Sequence, residues 1–571
     1  MRKSFPTLVI ILLVLFFSVL RLYKLSQVPP SLFSDEVDIA YQVKSFLSTG
    51  RDYQGNFLPL AFHSFSDTRT SSNYTTALVS LLPGVSIDLA VRLTPVIFSI
   101  LGLVGIYLLT NNLFKTLNLQ EKSIGINPGL LSSLLLSLTP WYFTYSRTGF
   151  EVAQLFTFII FGLYWLNKYL NNKKTLYLLF SLFFLSLIPI VYNTAKLAIL
   201  FAPFLFLTLP GFKEQLVSGK TLKLFLLVLF TPLIFVIFTG GTGQRFSEIA
   251  LNTDPTLPTE VNFLRQADLG QNLIIGSTPS IASRVAHNKP LRIITSFVTN
   301  MLIPISTDYL FVKGDPNLRH SVPGWGMLLK VESLLIVVGL FWLVSGKKYR
   351  LLSFLGIFYL LSVVPSATTR DGATHATRTF MLILPLILSA TYGLYRLCNH
   401  RIVSLFIVLI LFFESFLYFH DYFVHYPVLS EREFHAGLKE LVSEANKYPS
   451  QTVVLTRTYE PSLIFFLYYA NFPPAVAQKL IPQGKITEGI NAELNLEGVK
   501  VTGTNIYLAS VRDFDKEDPL VLKNAIYVLP AKEAAGLVSR KQATKISDIY
   551  LPSGELIYST ILSATSSAKA H

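Results

Sequence analysis

The feature that most constrains this chain is a recurrence. Apolar runs close to the ~20 residues that a helix needs to cross a hydrocarbon core, at about 1.5 Å rise per residue, return from the N-terminus to about residue 420. A fold surrounded by water has no use for such runs, because it buries apolar residues as stripes or alternating faces rather than as whole segments. The chain of 571 residues is 51% hydrophobic and 14% charged. Its one cysteine, Cys398, cannot form an internal disulfide, and no Cys/His cluster has zinc-site spacing. The formal charge of +14 would suit nucleic acid only as a basic face on a soluble domain, whereas the Lys and Arg sit mostly at the ends of apolar runs. Nucleic acid is therefore excluded as a partner.

Spans are predicted at 6–24, 88–112, 126–143, 149–168, 175–192, 196–210, 221–239, 327–345, 350–365, 377–396 and 402–420, about eleven in all. The start, Met1-Arg2-Lys3 followed by Phe5 to Leu20, is like a secretory signal but has a long apolar core and no small-residue cleavage site, so it reads as an uncleaved first span. With the N-terminus in the cytoplasm, the inner connections receive Arg2 and Lys3, Lys115 and Lys122, Lys168 with Lys173 and Lys174, Lys213 with Lys220 and Lys223, Lys347 with Lys348 and Arg350, and Arg396 with Arg401. Only Glu121 and Glu214 oppose them. Short loops rich in Lys and Arg stay inside, so this bias sets the direction.

The outer side then receives 25–87, 240–326, 366–376 and everything after 421, which together hold nearly all the acids and histidines. Two domains are expected: a transmembrane domain over 1–420, and a small extracytoplasmic α/β domain over 421–571. The second rests on a strand-like run Thr452–Thr456, a helix-like run Ser462–Ala470, and alternating runs Ile506–Val511, Ala525–Leu529 and Glu555–Ile561.

The first outer loop carries Ser34-Asp35-Glu36 ahead of an amphipathic pattern at Val37, Ala40, Tyr41 and Phe46. The pair is either a helix cap, with Ser34 or Asp35 satisfying free amides, or a functional acid at the membrane interface. Arg147 and Glu151 flank the junction of the third and fourth spans. They could snorkel or pair, but a carboxylate opening an apolar span is expensive unless it faces a cavity or partner. Lys196 stands at an outer span end, where cations are unexpected. Gly314-Asp315-Pro316-Asn317-Leu318-Arg319-His320 is either a re-entry turn or a loop presenting Arg319 and His320 to an anion. Thr368 to Arg378 packs Arg370, Asp371, His375 and Arg378 into one short loop. Two acidic points and several cations on one face suit a phosphate whose hydrocarbon tail lies in the bilayer while a carboxylate activates a nucleophile. No Gly-x-Ser-x-Gly or Walker-type motif is present. Asn73-Tyr74-Thr75 matches a glycosylation acceptor pattern.

An N-terminal span, Asp35-Glu36 before an amphipathic helix, the outer Arg147 to Glu151 and a long later loop together resemble the GT-C membrane glycosyltransferases. Within these, the chain is similar to the bacterial protein O-mannosyltransferase and aminoarabinose transferase group over about residues 5–420. The resemblance implies a polyprenyl-phosphate-linked sugar as donor, an extracytoplasmic acceptor, and transfer with inversion. It implies Asp35 as general base, Glu36 orienting it or binding the sugar, and Glu151 at a second acidic position where many relatives have Asp. Arg147, Lys196, Arg319, His320, His375 and Arg378 are the expected substrate-binding residues. Some GT-C enzymes use a divalent metal and others do not; no ligand set is evident, and no cofactor is expected. The competing readings are a lipid or glycan transporter or flippase, and a non-catalytic envelope-assembly protein. A transporter would place ionisable residues near the midplane in broken helices, whereas here they gather at the outer rim.

Overall fold

The computed structural model describes residues 5–64, 68–69, 72–121, 125–192, 195–216, 230, 234, 249–270, 278–458 and 462–564. The span expected at 221–239 falls, but for two residues, outside them. The chain forms two compact units. One comprises Met1–Tyr23, Pro95–Ser146 and Phe150–His420, the other Lys24–Thr94, Arg147–Gly149 and Asp421–His571.

The first unit is helical. Among the described residues, four helices are long and apolar enough to cross a membrane: Ile87–Thr116, Tyr349–Ala367, Ala376–Leu397 and Arg401–Leu429. Shorter apolar helices cover Pro6–Leu22, Pro128–Leu138 and Thr175–Val191. Four is fewer than the eleven spans expected. The helix Arg401–Leu429 argues most directly for lipid, because only 22% of its most apolar window is buried. Leu405, Phe406, Leu409, Phe413 and Phe416 all point outward. Exposing that much contiguous apolar surface to water would be strongly unfavourable at ~25 cal/mol per Å². The protein is a helical membrane protein.

Two helices of this unit meet without side chains between them. A Cβ on Gly339 would stand 2.0 Å from the Ser389 carbonyl oxygen, and one on Gly393 would stand 2.0 Å from that of Leu335. The helices Lys330–Ser345 and Ile383–Leu397 thus cross backbone to backbone, as small residues allow in membranes.

In the second unit a two-residue ribbon, β1 (Phe62–His63) with β2 (Thr68–Arg69), belongs to the first loop. A seven-stranded sheet belongs to the tail: β3 (Val453–Leu455), β4 (Thr487–Gly489), β5 (Leu496–Val501), β6 (Ile506–Val511), β7 (Ile526–Pro530), β8 (Ala543–Tyr550) and β9 (Leu556–Ser563). Their order is β4-β5-β6-β3-β7-β9-β8, with β3 parallel to both β6 and β7 and every other pair antiparallel. The central strand is short and wholly buried, as expected of a parallel strand covered on both faces. One face packs into a core that Val37 and Tyr41 of the helix Ser34–Thr49 enter from the first loop, meeting Leu438, Leu467 and Phe472. The Tyr41 hydroxyl donates to the Phe472 carbonyl at 3.1 Å. The first-loop helix is thereby fixed against the tail.

Candidate active site

The helix Ser34–Thr49 begins after Phe33, whose extended backbone is the cap position. Neither Ser34 nor Asp35 caps it. Glu36 does: its carboxylate accepts from the Phe33 N–H at 3.2 Å. It also accepts from the Gly149 N–H at 2.8 Å and from Arg92 Nε and Nη2 at 3.3 and 3.2 Å. Glu36 is fully buried and its partner Arg92 nearly so. A buried carboxylate is tolerable only when paired and hydrogen-bonded in this way. Gly149 is needed for the fit, since a Cβ there would come within 2.8 Å of the Glu36 side chain and 2.7 Å of Val91.

Arg92 reaches further, donating to the carbonyls of Pro29 at 2.7 Å, Leu25 at 3.4 Å and Ser31. Arg147, also fully buried, donates to the Val28 carbonyl at 2.9 Å and lies over the rings of Tyr422 and Phe423, 5.5 and 5.1 Å from their centroids. The two arginines therefore clamp the segment 25–31 that leads into Asp35. Asp35, in the first helical turn, is half-buried. Its neighbour Glu36 is locked in place, and Asp35 itself stands in the first turn of the helix.

A second polar cluster lies in the first unit. Asp315 accepts from His320 Nδ1 at 2.8 Å and from the Ala376 N–H at 2.9 Å, tying the loop 313–321 to the loop 366–378. His320 Nε2 lies 3.4 Å from the Thr377 hydroxyl, which is 2.7 Å from the Tyr145 hydroxyl. The rings of His320 and His375 stand 5.1 Å apart. Burial, then the charge of Arg378 and of His320, pushes the His375 pKa down to about 3, so its imidazole is neutral at ordinary pH. Arg378 donates to Asp371 and, at 2.8 Å, to Thr369 Oγ1. Arg378 and Thr377 also line a pocket otherwise walled mainly by apolar side chains such as Leu155, Leu163, Leu185, Ile188 and Phe358.

No family model and no curated protein matches the chain. Among solved structures, the chain is similar to archaeal oligosaccharyltransferase AglB from Archaeoglobus fulgidus, in complex with an inhibitory peptide and a dolichol-phosphate. The identity is 12%, with 82% of this chain and 60% of that one covered and a TM-score of 0.46. It is also similar to ArnT from Cupriavidus metallidurans bound to undecaprenyl phosphate, at 10% identity over 98% of both chains and a TM-score of 0.48. This chain thus spans 60% of the oligosaccharyltransferase's length and 98% of ArnT's. At this level of likeness the functional reading rests on the chain's own residues.

Of the residues singled out in the sequence, Asp35, Glu36 and Arg147 share the second unit, where Glu36 holds the Phe33 N–H and Arg147 the Val28 carbonyl, both ahead of Asp35. His320, His375 and Arg378 come together in the first unit. Arg319, half-buried, turns its Nε toward Asn317 Oδ1 at 3.3 Å. Lys196 is buried as the second residue of the helix Ala195–Phe206, whose first residue lines the apolar cavity. Glu151 is half-buried just ahead of the helix Val152–Asn172. Asn73 is 1% exposed within the helix Ser72–Ser80, so the acceptor pattern there is not accessible to modification.

Arg92, Asp315 and Thr377 are the residues sequence reasoning missed. Arg92 is not among the residues singled out in the sequence, although it stands within the apolar helix Ile87–Thr116, where a cation is expensive unless paired. The first loop hides another group: buried Asp52 accepts from Asn56 Nδ2 at 2.9 Å and lies 3.4 Å from His63 Nδ1. Burial would raise the Asp52 pKa, but hydrogen bonds from His63 and Asn56 outweigh it and hold the carboxyl below its ordinary range. Two donors of this kind fall short of the three or more protein ligands that a catalytic metal site offers.

Proposed function

We propose that the protein is a membrane glycosyltransferase that moves a sugar from a polyprenyl-phosphate donor to an extracytoplasmic acceptor, with inversion at the anomeric carbon. The observation that carries this reading is the largely apolar cavity that has Arg378 among its lining residues. A long hydrocarbon tail needs an apolar wall, and an anionic head needs a fixed cation at its end. A ligand with both parts is a lipid phosphate. The fold that best accommodates this reaction is GT-C, with about eleven spans, the N-terminus in the cytoplasm and Asp35 outside, following the Lys/Arg bias of the loops.

In this reading Asp35 takes the proton of the acceptor's attacking hydroxyl or amide as that atom forms a bond to C1 of the sugar. The bond from C1 to the phosphate oxygen breaks, and the electron pair leaves with the polyprenyl phosphate. The leaving group needs charge stabilisation rather than a proton, which is the part Arg378 plays, with Lys196 and Arg319 as supporting cations. Glu36 and Arg147 are positioning residues that hold the backbone leading into Asp35, at Phe33 and Val28. Substituting Asp35→Asn is expected to lower sugar transfer by ~100-fold or more, within the usual range for a general base. The measurement uses the full chain in nanodiscs with a radiolabelled polyprenyl-phosphate sugar, alongside thermal unfolding. Undiminished transfer in a correctly folded variant would remove Asp35 from the mechanism.

A further inference from the structure

The second unit contains a cleft of about 1160 Å³ that the reaction as described leaves unused. One wall is the segment Leu25–Leu32 and the start of the helix Ile87–Thr116; the others are the turn Ala436–Glu440, Tyr469 and the end of β8 at Tyr550. Its charges cancel, with Asp88 and Glu440 against Arg92 and Lys439. Both cations are already engaged. Arg92 serves Glu36 and three carbonyls, and Lys439 lies 3.6 Å from Asp88 and 5.5 Å over the Tyr469 ring. Asp88 also accepts from the Tyr468 hydroxyl.

This chemistry argues against three ligand classes. A phosphate or polyanion would find no surplus positive charge. A lipid tail would have to desolvate carboxylates and an ammonium, unlike in the apolar cavity of the first unit. A peptide bound by strand addition needs a free strand edge, and Tyr550, the last residue of β8, is the only strand residue in the lining, so the cleft does not offer that mode of peptide binding. The class that best suits the lining is a neutral ligand rich in hydroxyls: the carboxylates accept hydrogen bonds and the seryl hydroxyls both donate and accept them, while Tyr469 and Tyr550 offer aromatic surface to C–H groups.

The cleft is also coupled to the proposed base. Arg92 in its wall is the ion-pair partner of Glu36, and Ser31 and Leu32 in the same wall precede Asp35 by only a few residues. We infer that this cleft receives the acceptor and that the acceptor is a carbohydrate, an assignment that rests on the reading of Asp35 as the base.

The test places a photo-crosslinker in the cleft, Tyr550→p-benzoylphenylalanine, in the full chain in nanodiscs. It is irradiated separately with fluorescently tagged oligosaccharides of hexose, N-acetylhexosamine and uronic acid, with tagged random peptides, and with tagged polyprenyl phosphate. Capture of at least one oligosaccharide class, and of neither peptide nor lipid, is expected. Adding Tyr469→Ala should cut that capture at least fivefold, whereas Tyr469→Phe should preserve it. No saccharide capture, preferential capture of peptide or lipid, or capture indifferent to Tyr469→Ala overturns the inference. Capture is repeated with Asp35→Asn, where it should persist without transfer. An Asp35→Asn protein that still transfers sugar sinks the base assignment but leaves the capture result standing, so the two failures are distinguishable.

Discussion

Adjacent carboxylates, Asp35 and Glu36, have opposite environments, and the difference divides their roles. Glu36 spends all its hydrogen-bonding capacity on protein groups, so Glu36→Gln should act on stability first. It leaves the buried Arg92 guanidinium without its counter-charge, a loss of about 3–5 kcal/mol by analogy with other broken buried pairs. Differential scanning fluorimetry in one detergent should show a clear drop in the unfolding midpoint for Glu36→Gln and almost none for Asp35→Asn. Equal drops would mean that Asp35 is also structural. His375 offers a pH test. Its folded pKa of about 3 lies below the ordinary value of 6.5, so the unfolded chain binds the proton first as pH falls. The stability that a neutral His375 permits is present above about pH 6.5 and drains away below it, at about 1.4 kcal/mol per pH unit at most. Unfolding midpoints should therefore fall between pH 7 and pH 5, and His375→Gln should flatten that fall. A slope unaffected by the substitution would place the titrating group elsewhere.

At the scale of elements, the crossing at Gly339 and Gly393 leaves no room for a side chain between two helices. Because each Cβ would meet a main-chain carbonyl rather than a movable side chain, the helices can only separate to accommodate one. Gly393→Ala should lower the unfolding midpoint markedly. Gly356 supplies the control, since it lies on the exposed face of the helix Tyr349–Ala367 with nothing within 4 Å of its Cβ position. Gly356→Ala should leave stability unchanged or raise it by up to about 1 kcal/mol through helix propensity. Similar effects at both positions would mean that the close crossing is not maintained in the membrane.

For the whole molecule, local patterns were readable and distant partnerships were not. The alternating runs at Ile506–Val511 and Glu555–Ile561 fall on β6 and β9, whose residues are mostly buried. Asp35 and Glu36 stood out because charge next to an apolar span is costly, a local signal. The strand β5 gave none, since Glu497, Gly498 and Lys500 interrupt its pattern. Nor does anything near Glu36 in sequence announce Arg92 or Gly149 as its partners, because a long-range ion pair has no periodicity. The same holds for the core shared by Val37 and Tyr41 with Leu438 and Leu467. From that core it follows that a chain cut after His420 should fail to order residues 24–94. Limited proteolysis should nick the truncated protein there and spare the full-length form, and equal protection would show that the first loop folds unaided.

The bond from Tyr41 to Phe472 spans 431 residues. At translation speeds of about 5–20 residues per second, the helix bearing Asp35 emerges some 20–90 seconds before the segment it packs on. During that interval the nascent first-loop helix lacks the core on which it packs, so its folded arrangement waits on the segment around Phe472.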